Sequence, residues 1–229
     1  MHVEYDSLIK NGTWTLVDLP SSRTVIGCKW VFRVKENPNG SVNKHKSRLV
    51  AKGFHQQLGF DYKNTFSPII KLVAIRLILS LAISHKWSLQ QLDVNNVFLY
   101  GILEEEVYMS QPLGFVSSNK HQACRLHKAI YGLKHAPRAW FNKLKATFIS
   151  FKFSSSECDP SPFIYYEKGF VIYILVYEDD IIVTGNNINL IHSLVSQLNF
   201  VFSLKDLGDL DYFLGIKIQK TKDGSLILN

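Results

Sequence analysis

Residues 170–185 read FVIYILVYEDDIIVTG, two apolar runs separated by three acidic residues. The runs are rich in Ile, Val and Tyr, which favour β-strands, and the glycine at 185 ends the second run. This pattern predicts a β-hairpin with Glu178, Asp179 and Asp180 at its tip. Adjacent carboxylates at such a tip repel each other, and a divalent cation such as Mg²⁺, which prefers oxygen ligands, would relieve the repulsion.

A third acidic residue has a related setting upstream. Residues 87–93 read WSLQQLD, a loosely alternating stretch that predicts a strand with Asp93 at its exit. If this strand lies beside the hairpin, three carboxylates can hold two metal ions about 3.5–4 Å apart, an arrangement used for phosphoryl transfer. The alternative is a polar turn with two solvated Asp residues, which is common for isolated Asp-Asp pairs. The acidic residues alone leave both interpretations open.

Composition excludes several classes of protein. The chain has 229 residues, of which 46% are hydrophobic, enough to build the core of one large domain or two subdomains. The longest uninterrupted apolar run has 8 residues, 170–177, whereas a membrane-spanning helix needs roughly 18 or more. Residues 1–6 lack the features of a secretory signal, so we expect Cys28, Cys124 and Cys158 to be free thiols.

Positive charge is concentrated in two stretches. The chain has 26 Lys and Arg against 19 Asp and Glu, a formal net charge of +7, and residues 107–156 contain 8 Lys and Arg and no acid. The second stretch is opposed only by Glu36 and is interleaved with aromatic residues. Its basic residues are Lys29, Arg33, Lys35, Lys44, Lys46, Arg48 and Lys52. It predicts either a surface that binds phosphates or the solvated outer face of a strand pair.

The remaining patterns predict helices and strands that intermingle along the chain, as in an α+β fold. A basic hairpin is expected from residues 25–34 and 42–50, and residues 212–219 and 225–228 are expected to be strands. Apolar spacing predicts helices over residues 69–83, 95–101, 136–151 and 189–200, with Ser67 and Pro68 beginning the first.

The segment 174–185 closely resembles the catalytic hairpin of reverse transcriptases, in particular those of copia-type retrotransposons of plants. Six more segments resemble the same family in the same order. They are KWVFRVK (29–35), RLVAKGF (48–54), QLDVNNVFL (91–99), EEEVYM (104–109), YGLKHAPRAW (131–140) and LKDLG (204–208). The resemblance runs from about residue 11 to residue 229.

This resemblance implies a right-hand polymerase fold, with palm and fingers, a βαββαβ-like palm sheet and a thumb that is largely missing. The expected division is approximate. Residues 1–86 would be mainly fingers, 87–115 palm with the first catalytic Asp, 116–160 a fingers and palm helix region, and 161–229 palm with the hairpin and the primer-grip region.

The resemblance also assigns the catalytic acids. Asp93, Asp179 and Asp180 match the residues that bind two Mg²⁺ or Mn²⁺ ions, and Val94 would offer its backbone carbonyl to a metal. Lys205 lies in a segment that would present a proton donor to the leaving pyrophosphate.

Further residues match positions that contact the nucleotide and the primer. Lys35 and Arg48 match positions near the triphosphate, with Lys46 as a competitor for the second. Phe98 matches the aromatic residue that blocks a ribose 2′-OH, although without the resemblance it could equally be a core Phe. Tyr131 and Gly132 match the segment that lines the nucleotide and template. Tyr212, Phe213, Leu214 and Gly215 resemble the grip on the primer end.

The chain departs from the family pattern at four motif positions. Glu178 stands where Val is expected, His135 where Gln is usual, Ile102 where Asp is usual and Val97 where Ala is usual. We expect the Glu178 side chain to point away from that of Asp179, as on a strand, and its charge to repel the DNA backbone.

The predicted function is RNA-directed DNA polymerase, a nucleotidyltransferase that joins a deoxynucleotide to a primer 3′-OH. Expected partners are an RNA or DNA template with primer, deoxynucleoside triphosphates, and the RNase H and integrase segments of a Pol polyprotein, with no membrane. The expected location is the cytoplasm, in virus-like particles, or the nucleus. The four departures and the missing thumb motivate an alternative, an inert remnant that still binds nucleic acid. A metal-dependent nuclease is a third interpretation, which would leave Phe98 without a role.

Overall fold

The two apolar runs around the acidic residues form neighbouring strands of a six-stranded sheet in a computed structural model of the chain. The structure describes residues 1–37, 39–155, 159–220 and 226–228, so Cys158 and the first residue of the strand expected at 225–228 lie outside the described residues. The chain divides into two compact units. Unit 1 consists of Met1–Ser67 and Phe98–Lys143, and unit 2 consists of Pro68–Val97 and Leu144–Asn229.

Runs of mainly antiparallel strands are separated by single helices along the chain, which confirms the mixed α+β class expected from the sequence. The helices are α1 (His2–Lys10), α2 (Leu72–Ser84), α3 (Ala136–Ser150) and α4 (Ile188–Val201). The strands are β1 (Trp14–Asp18), β2 (Val25–Ile26), β3 (Cys28–Glu36), β4 (Val42–Ala51), β5 (Leu89–Val94), β6 (Ile102–Met109), β7 (Gln122–Lys128), β8 (Ser154–Ser155), β9 (Phe163–Glu167), β10 (Phe170–Tyr177), β11 (Asp180–Gly185), β12 (Leu204–Asp209), β13 (Tyr212–Phe213), β14 (Ile216–Lys220) and β15 (Leu226–Leu228). Short 3₁₀ turns cover Gly53–His55 and Val97–Tyr100. None of the described helices is long and apolar enough to span a membrane.

Unit 1 contains a four-stranded sheet and a separate two-stranded hairpin. The sheet has the order β1-β7-β6-β2, in which only β2 runs parallel to its neighbour. Its core includes Leu8 of α1, Met109 of β6 and Leu126 of β7. The hairpin of β3 and β4 pairs continuously from Cys28 opposite Ala51 to Lys35 opposite Lys44. The predicted basic hairpin is therefore confirmed, except that Val25–Ile26 form a separate strand beside β6.

Unit 2 is built on the six-stranded sheet β12-β5-β11-β10-β9-β8, whose pairs are all antiparallel. Helix α2 buries Ile75, Ile78 and Leu79 in the same cluster as Leu175 and Ile182 of the sheet. Helix α4 buries an apolar face of its own and contacts β11. Most of β10 and β11 is buried, which explains why these strands have continuous apolar runs rather than alternating ones.

Two expectations about unit 2 were wrong in detail. Helix α2 begins at Leu72, not near residue 69, with Lys71 at its N-cap, while the Ser67 hydroxyl donates to the Pro137 carbonyl within unit 1 and does not cap α2. The single strand expected over residues 212–219 is divided into β13 and β14. Positive φ angles at Leu214 (48°) and Gly215 (86°) form a tight turn between Phe213 and its partner Ile216.

A close backbone contact in unit 1 involves Gly132. The Ala51 amide donates to the Tyr131 carbonyl over 2.8 Å. Gly132 has a φ of 88°, and a Cβ there would overlap the Ala51 carbonyl oxygen. Gly132 is therefore required both by its left-handed backbone and by the space available.

Replacing Gly132 by Ala should lower the free energy of unfolding by about 2–4 kcal/mol, because the new methyl group meets backbone atoms and the left-handed conformation adds strain. Gly114 is the matched control, since its φ is 86° but nothing lies within 4 Å of the added Cβ. Gly114→Ala should cost only about 1–2 kcal/mol. Urea denaturation of both variants measures the difference, and equal losses would contradict the close contact.

Candidate functional site

Three charged side chains from three strands of unit 2 lie in one row. Asp93 at the end of β5 is directly opposite Asp180 of β11 on one side and directly opposite Lys205 of β12 on the other. Directly opposite residues of antiparallel strands project from the same face, with Cβ atoms about 4.5–5.5 Å apart. The sheet register therefore gathers two of the predicted catalytic acids and the predicted proton donor.

Asp179 is held beside this row through the backbone. Its carbonyl accepts a hydrogen bond of 2.9 Å from the Val94 amide. This hydrogen bond holds the tip of the hairpin against the end of β5, next to Asp93. The structure thus brings together the four residues predicted to hold metal, Asp93, Val94, Asp179 and Asp180.

Asp180 is in an electrostatically unfavourable place for a carboxylate. Its burial raises the pKa of the carboxyl, and the neighbouring Asp179, Asp93 and Glu178 raise the pKa further. A hydrogen bond of 3.3 Å from Gln91 Nε2 to Asp180 Oδ1 acts in the opposite direction. The net negative charge at this end of the sheet is the condition that a divalent cation relieves.

The donor set has the chemistry of a magnesium site. Carboxylates, a backbone carbonyl and water are the oxygen ligands that Mg²⁺ prefers, and it commonly uses one or two carboxylates together with substrate phosphates. Within the described part of the chain, no group of three or more His, Cys, Asp or Glu residues is arranged to hold a metal ion. Asp93 and Asp180, which are directly opposite each other, match the one or two carboxylates of such a magnesium site.

Glu178 does not lie on a strand, which corrects the expectation for its direction. Tyr177 pairs with Asp180, so Glu178 and Asp179 are the two residues of the turn. Glu178 is exposed and has a φ of 55°, in the left-handed region that glycine adopts most easily. Its charge still affects the site, because it raises the pKa of Asp180.

The β3–β4 hairpin of unit 1 carries positive charge on a single face. Directly opposite residues share a face, so the pairing places six cations on one side and Trp30, Phe32 and Leu49 on the other. We call this side the cationic face. Its charged members are Lys29, Arg33, Lys35, Lys44, Lys46 and Arg48.

Like charges are directly opposite each other on the cationic face, Arg33 with Lys46 and Lys35 with Lys44. Such pairs are destabilising by themselves. An anion bound across the hairpin would offset the repulsion. Both predicted triphosphate-binding residues, Lys35 and Arg48, lie on this face together with the competitor Lys46.

Three predicted nucleotide-binding residues form a cluster in unit 1. The Arg48 guanidinium lies 4.4 Å from the centre of the Tyr131 ring, and the edge of the Phe98 ring meets Tyr131 at a centroid distance of 4.7 Å. Phe98 is partly buried against the core of unit 1. Gly132 follows Tyr131 in the tight backbone contact described above. The cluster thus presents a guanidinium and a rigid aromatic pair next to the cationic face.

The predicted primer-grip residues form the β13–β14 hairpin of unit 2. Phe213 is buried with Leu175 and Ile182, which lie on the same sheet face as Asp180. Tyr212 is exposed, and Leu214 and Gly215 form the turn. The segment expected to hold the primer end therefore packs on the face of the sheet that carries the acidic row.

The other departures from the family pattern have different surroundings. Val97 is almost fully buried, whereas Ile102 is 65% exposed at the start of β6. His135 is buried in unit 1, next to the side chain of Gln56.

Sequence reasoning missed two groups of residues at these sites. Gln91, which donates to Asp180, could have been found from its position two residues before Asp93 on the same strand face. The second group is Lys29, Arg33 and Lys44, which share the cationic face. The alternation of charge in β3 and β4 indicates this shared face once the pairing is known.

Comparison with known proteins identifies the class to which this fold and these sites belong. The sequence profile described as "Reverse transcriptase (RNA-dependent DNA polymerase)" matches residues 11–228. The chain belongs to the reverse transcriptase family.

Similarity to individual proteins defines a narrower group within this family. The chain is 46% identical over 226 residues to the retrovirus-related Pol polyprotein from transposon RE1 of Arabidopsis thaliana, and 43% identical over 225 residues to that from transposon TNT 1-94 of Nicotiana tabacum. These alignments cover 98% and 97% of this chain but only 15% and 17% of the two polyproteins. The Ty1-DR4 Gag-Pol polyprotein of Saccharomyces cerevisiae is 25% identical over 217 residues, 92% of this chain and 13% of that protein. The resemblance to copia-type enzymes is confirmed.

The strained turn at Glu178 gives a stability prediction. Glu178→Gly should raise the free energy of unfolding by about 1 kcal/mol relative to Glu178→Ala, because both variants remove the carboxylate but only Gly relieves the left-handed conformation. Urea denaturation without added metal measures the difference. An alanine variant as stable as the glycine variant would show that the turn is not strained at this position.

Proposed function

We propose that this chain is the polymerase portion of a copia-type retrotransposon reverse transcriptase, and that it catalyses RNA-directed DNA synthesis by deoxynucleotidyl transfer to a primer 3′-OH. The observation that carries this proposal is the pairing of Asp93 with Asp180 in the row that Lys205 extends. Similarity over nearly the whole chain to Pol polyproteins supports the same assignment.

Asp93, Asp179, Asp180 and the Val94 carbonyl would hold two Mg²⁺ or Mn²⁺ ions. When bound, the ions would make the primer hydroxyl more nucleophilic and stabilise the charge on the leaving pyrophosphate. Lys205 would give a proton to the leaving group, and its position directly opposite Asp93 in the row supports this role.

The residues of unit 1 would bind the nucleotide. Lys35 and Arg48 neutralise the triphosphate, with Lys46 on the same face. Tyr131 and Gly132 line the nucleotide and template. Phe98 stands against Tyr131 as a rigid ring, which is a physical means of excluding a ribose 2′-OH.

In the right-hand description, unit 2 is proposed as the palm and unit 1 as the fingers. The sequence-based boundaries at residues 86, 115 and 160 are a separate prediction, because the units change after residues 67, 97 and 143. The β13–β14 hairpin, with Tyr212 to Gly215, is proposed to grip the primer end. The thumb would follow residue 215.

The proposed partners are a primed RNA or DNA template, deoxynucleoside triphosphates, and the RNase H and integrase segments of a Pol polyprotein. The proposed location is the cytoplasm, within virus-like particles, or the nucleus.

The second candidate function is that of an inert remnant that binds primer and template. Two observations favour it, the carboxylate of Glu178 beside Asp180 and the six cations that β3 and β4 present on one face. The cationic face needs no catalysis to bind a polyanion, because neutralising phosphates releases counterions. Binding should weaken with salt under either candidate function, so catalysis must distinguish them.

Primer extension on poly(rA)/oligo(dT) with dTTP and Mg²⁺ or Mn²⁺ tests the proposal. The unaltered chain should extend the primer, and Asp93→Asn or Asp179→Asn should lower the rate about a thousandfold or more, because each removes a carboxylate that stabilises the transferred phosphate. Asp18→Asn is the matched control, since Asp18 is exposed at the end of β1, and it should keep full activity.

Glu178→Val and Lys44→Glu separate the remaining outcomes. If only Glu178→Val extends the primer, the fold is intact and the Glu178 carboxylate alone blocks activity. If neither the unaltered chain nor Glu178→Val extends the primer, and Lys44→Glu weakens primer-template binding, the result favours the remnant. Cleavage of DNA without added nucleotides would instead indicate a nuclease.

A further inference from the structure

Hydrogen bonds and close backbone packing hold residues 131–135 against residues 51–56 within unit 1. Besides the bond from the Ala51 amide to the Tyr131 carbonyl, Gly53 lies so close to Gly132 that a Cβ at Gly53 would overlap the Gly132 carbonyl oxygen. The position of the Tyr131 ring, and with it the contacts to Arg48 and Phe98, depends on this backbone pairing.

The Gln56 side chain adds further hydrogen bonds between these two segments. Gln56 is only 4% exposed, and its Oε1 accepts a hydrogen bond of 2.8 Å from the Lys134 amide. Its own backbone carbonyl accepts a second bond of 3.3 Å from Lys134 Nζ. Its Nε2 lies 3.4 Å from Nδ1 of the buried His135. One side chain therefore contacts two successive residues of the segment.

These contacts fix the tautomer of His135. The Lys134 amide donates its hydrogen, so the atom of the Gln56 side chain that it contacts must be the oxygen. Gln56 Nε2, which is only a donor, therefore faces His135 Nδ1. Nδ1 must therefore be the acceptor, and the proton of the neutral ring lies on Nε2.

The surroundings of His135 keep the ring neutral at pH 7. Burial lowers the pKa of His135, and the carboxylates of Glu105 on β6 and Asp61 in the loop after Gln56 oppose that effect. Nε2 lies 4.0 Å from Glu105 Oε2 and has no hydrogen-bond partner among the described atoms, while the Tyr62 ring stacks on the imidazole at 6.4 Å. The Tyr62 hydroxyl in turn accepts a hydrogen bond of 3.3 Å from Lys134 Nζ.

We propose that Gln56 is a positioning residue for nucleotide binding. This proposal rests on the proposed polymerase function. The Gln56 side-chain amide holds the Tyr131–His135 segment so that Tyr131 supports Arg48 and Phe98, and it does so only while His135 Nδ1 accepts its hydrogen bond. Protonation of Nδ1 sets two donors against each other and releases this contact, so the hold on Tyr131 weakens in acid.

Gln56→Glu tests this inference with a side chain of nearly the same shape. The introduced carboxylate still accepts from the Lys134 amide but now favours a protonated Nδ1, so the pKa of His135 should rise. Gln57→Glu is the matched control, because Gln57 is the exposed neighbour and adds the same charge. His135→Gln removes the titrating group and places there the residue usual in the family.

Long-range ¹H–¹⁵N spectra of the imidazoles and amide hydrogen exchange provide readouts that do not depend on activity. At pH 7, the His135 signal, identified by its loss in His135→Gln, should report the Nε2–H tautomer. Protection of the Lys134 amide should fall about tenfold in Gln56→Ala, as expected for a lost buried hydrogen bond. An Nδ1–H tautomer, or unchanged protection of the Lys134 amide, would overturn the inference.

Kinetics provide the functional readout. Between pH 7.5 and pH 5.5, the KM for dTTP should rise more in the unaltered chain than in His135→Gln, because only the former has the imidazole of His135. The additional rise should be less than about tenfold, since burial lowers the pKa of His135 from its usual value of about 6.5 and pH 5.5 lies only about one unit below that value. The trend should reverse in Gln56→Glu and persist in Gln57→Glu. An equal response in all four proteins would overturn the inference. Failure of the unaltered chain to extend a primer at any pH would refute the polymerase function instead, while amide exchange at Lys134 still decides whether Gln56 holds the segment.

Discussion

The antiparallel pairing of β5 with β11 is the constraint on which the acidic site depends. It places Asp180 opposite Asp93, and the next pairing, with β12, adds Lys205 to the same row. A slip of one residue would move Asp180 to the other face of the sheet. The register is held by burial, because Leu92, Ile181 and Ile182 are all completely enclosed and leave no face on which a shifted strand could place its charges. The apolar core therefore determines where the acids lie.

Both candidate binding regions contain features that are unfavourable to stability without a ligand. In unit 2, burial and the neighbouring carboxylates raise the pKa of Asp180, and the turn residue Glu178 has a left-handed backbone. In unit 1, Lys35 and Lys44 are directly opposite each other in the β3–β4 hairpin, whereas Lys46, which is opposite Arg33, interacts with Glu4 of α1. Such local costs concentrate where a protein binds something of opposite charge. Here, a cation at the acidic row and a polyanion on the cationic face would relieve them.

The sequence was sufficient to predict features that depend on local pattern. The apolar runs around Asp179 identified the hairpin, and the strand ending at Asp93 was placed correctly because its loose alternation is a local signal. The start of α2 was not, because Ser67 and Pro68 form a good local cap signal that the tertiary structure does not use. The turn at Leu214 was hidden as well, since leucine rarely adopts a positive φ.

Features that depend on contacts between distant segments required the structure. The cationic face follows from the pairing of β3 with β4, which no single strand reveals. A lone Gln56 carries no sequence signal, and its importance comes from its burial and from bonds to residues 78 and 79 positions away. Resemblance to copia-type enzymes assigned Tyr131 and Phe98 to one site, and the structure supplies the contact between their rings.

Binding of a divalent metal at this end of the unit 2 sheet can be followed by adding Mn²⁺ to the ¹⁵N-labelled chain and recording the broadening of amide resonances. We expect the amides of Asp93, Asp180 and Lys205 to broaden first, and Asp93→Asn to reduce this effect greatly. Broadening that begins instead at the acidic residues 104–106 or 206–211, with the row unaffected, would contradict this expectation.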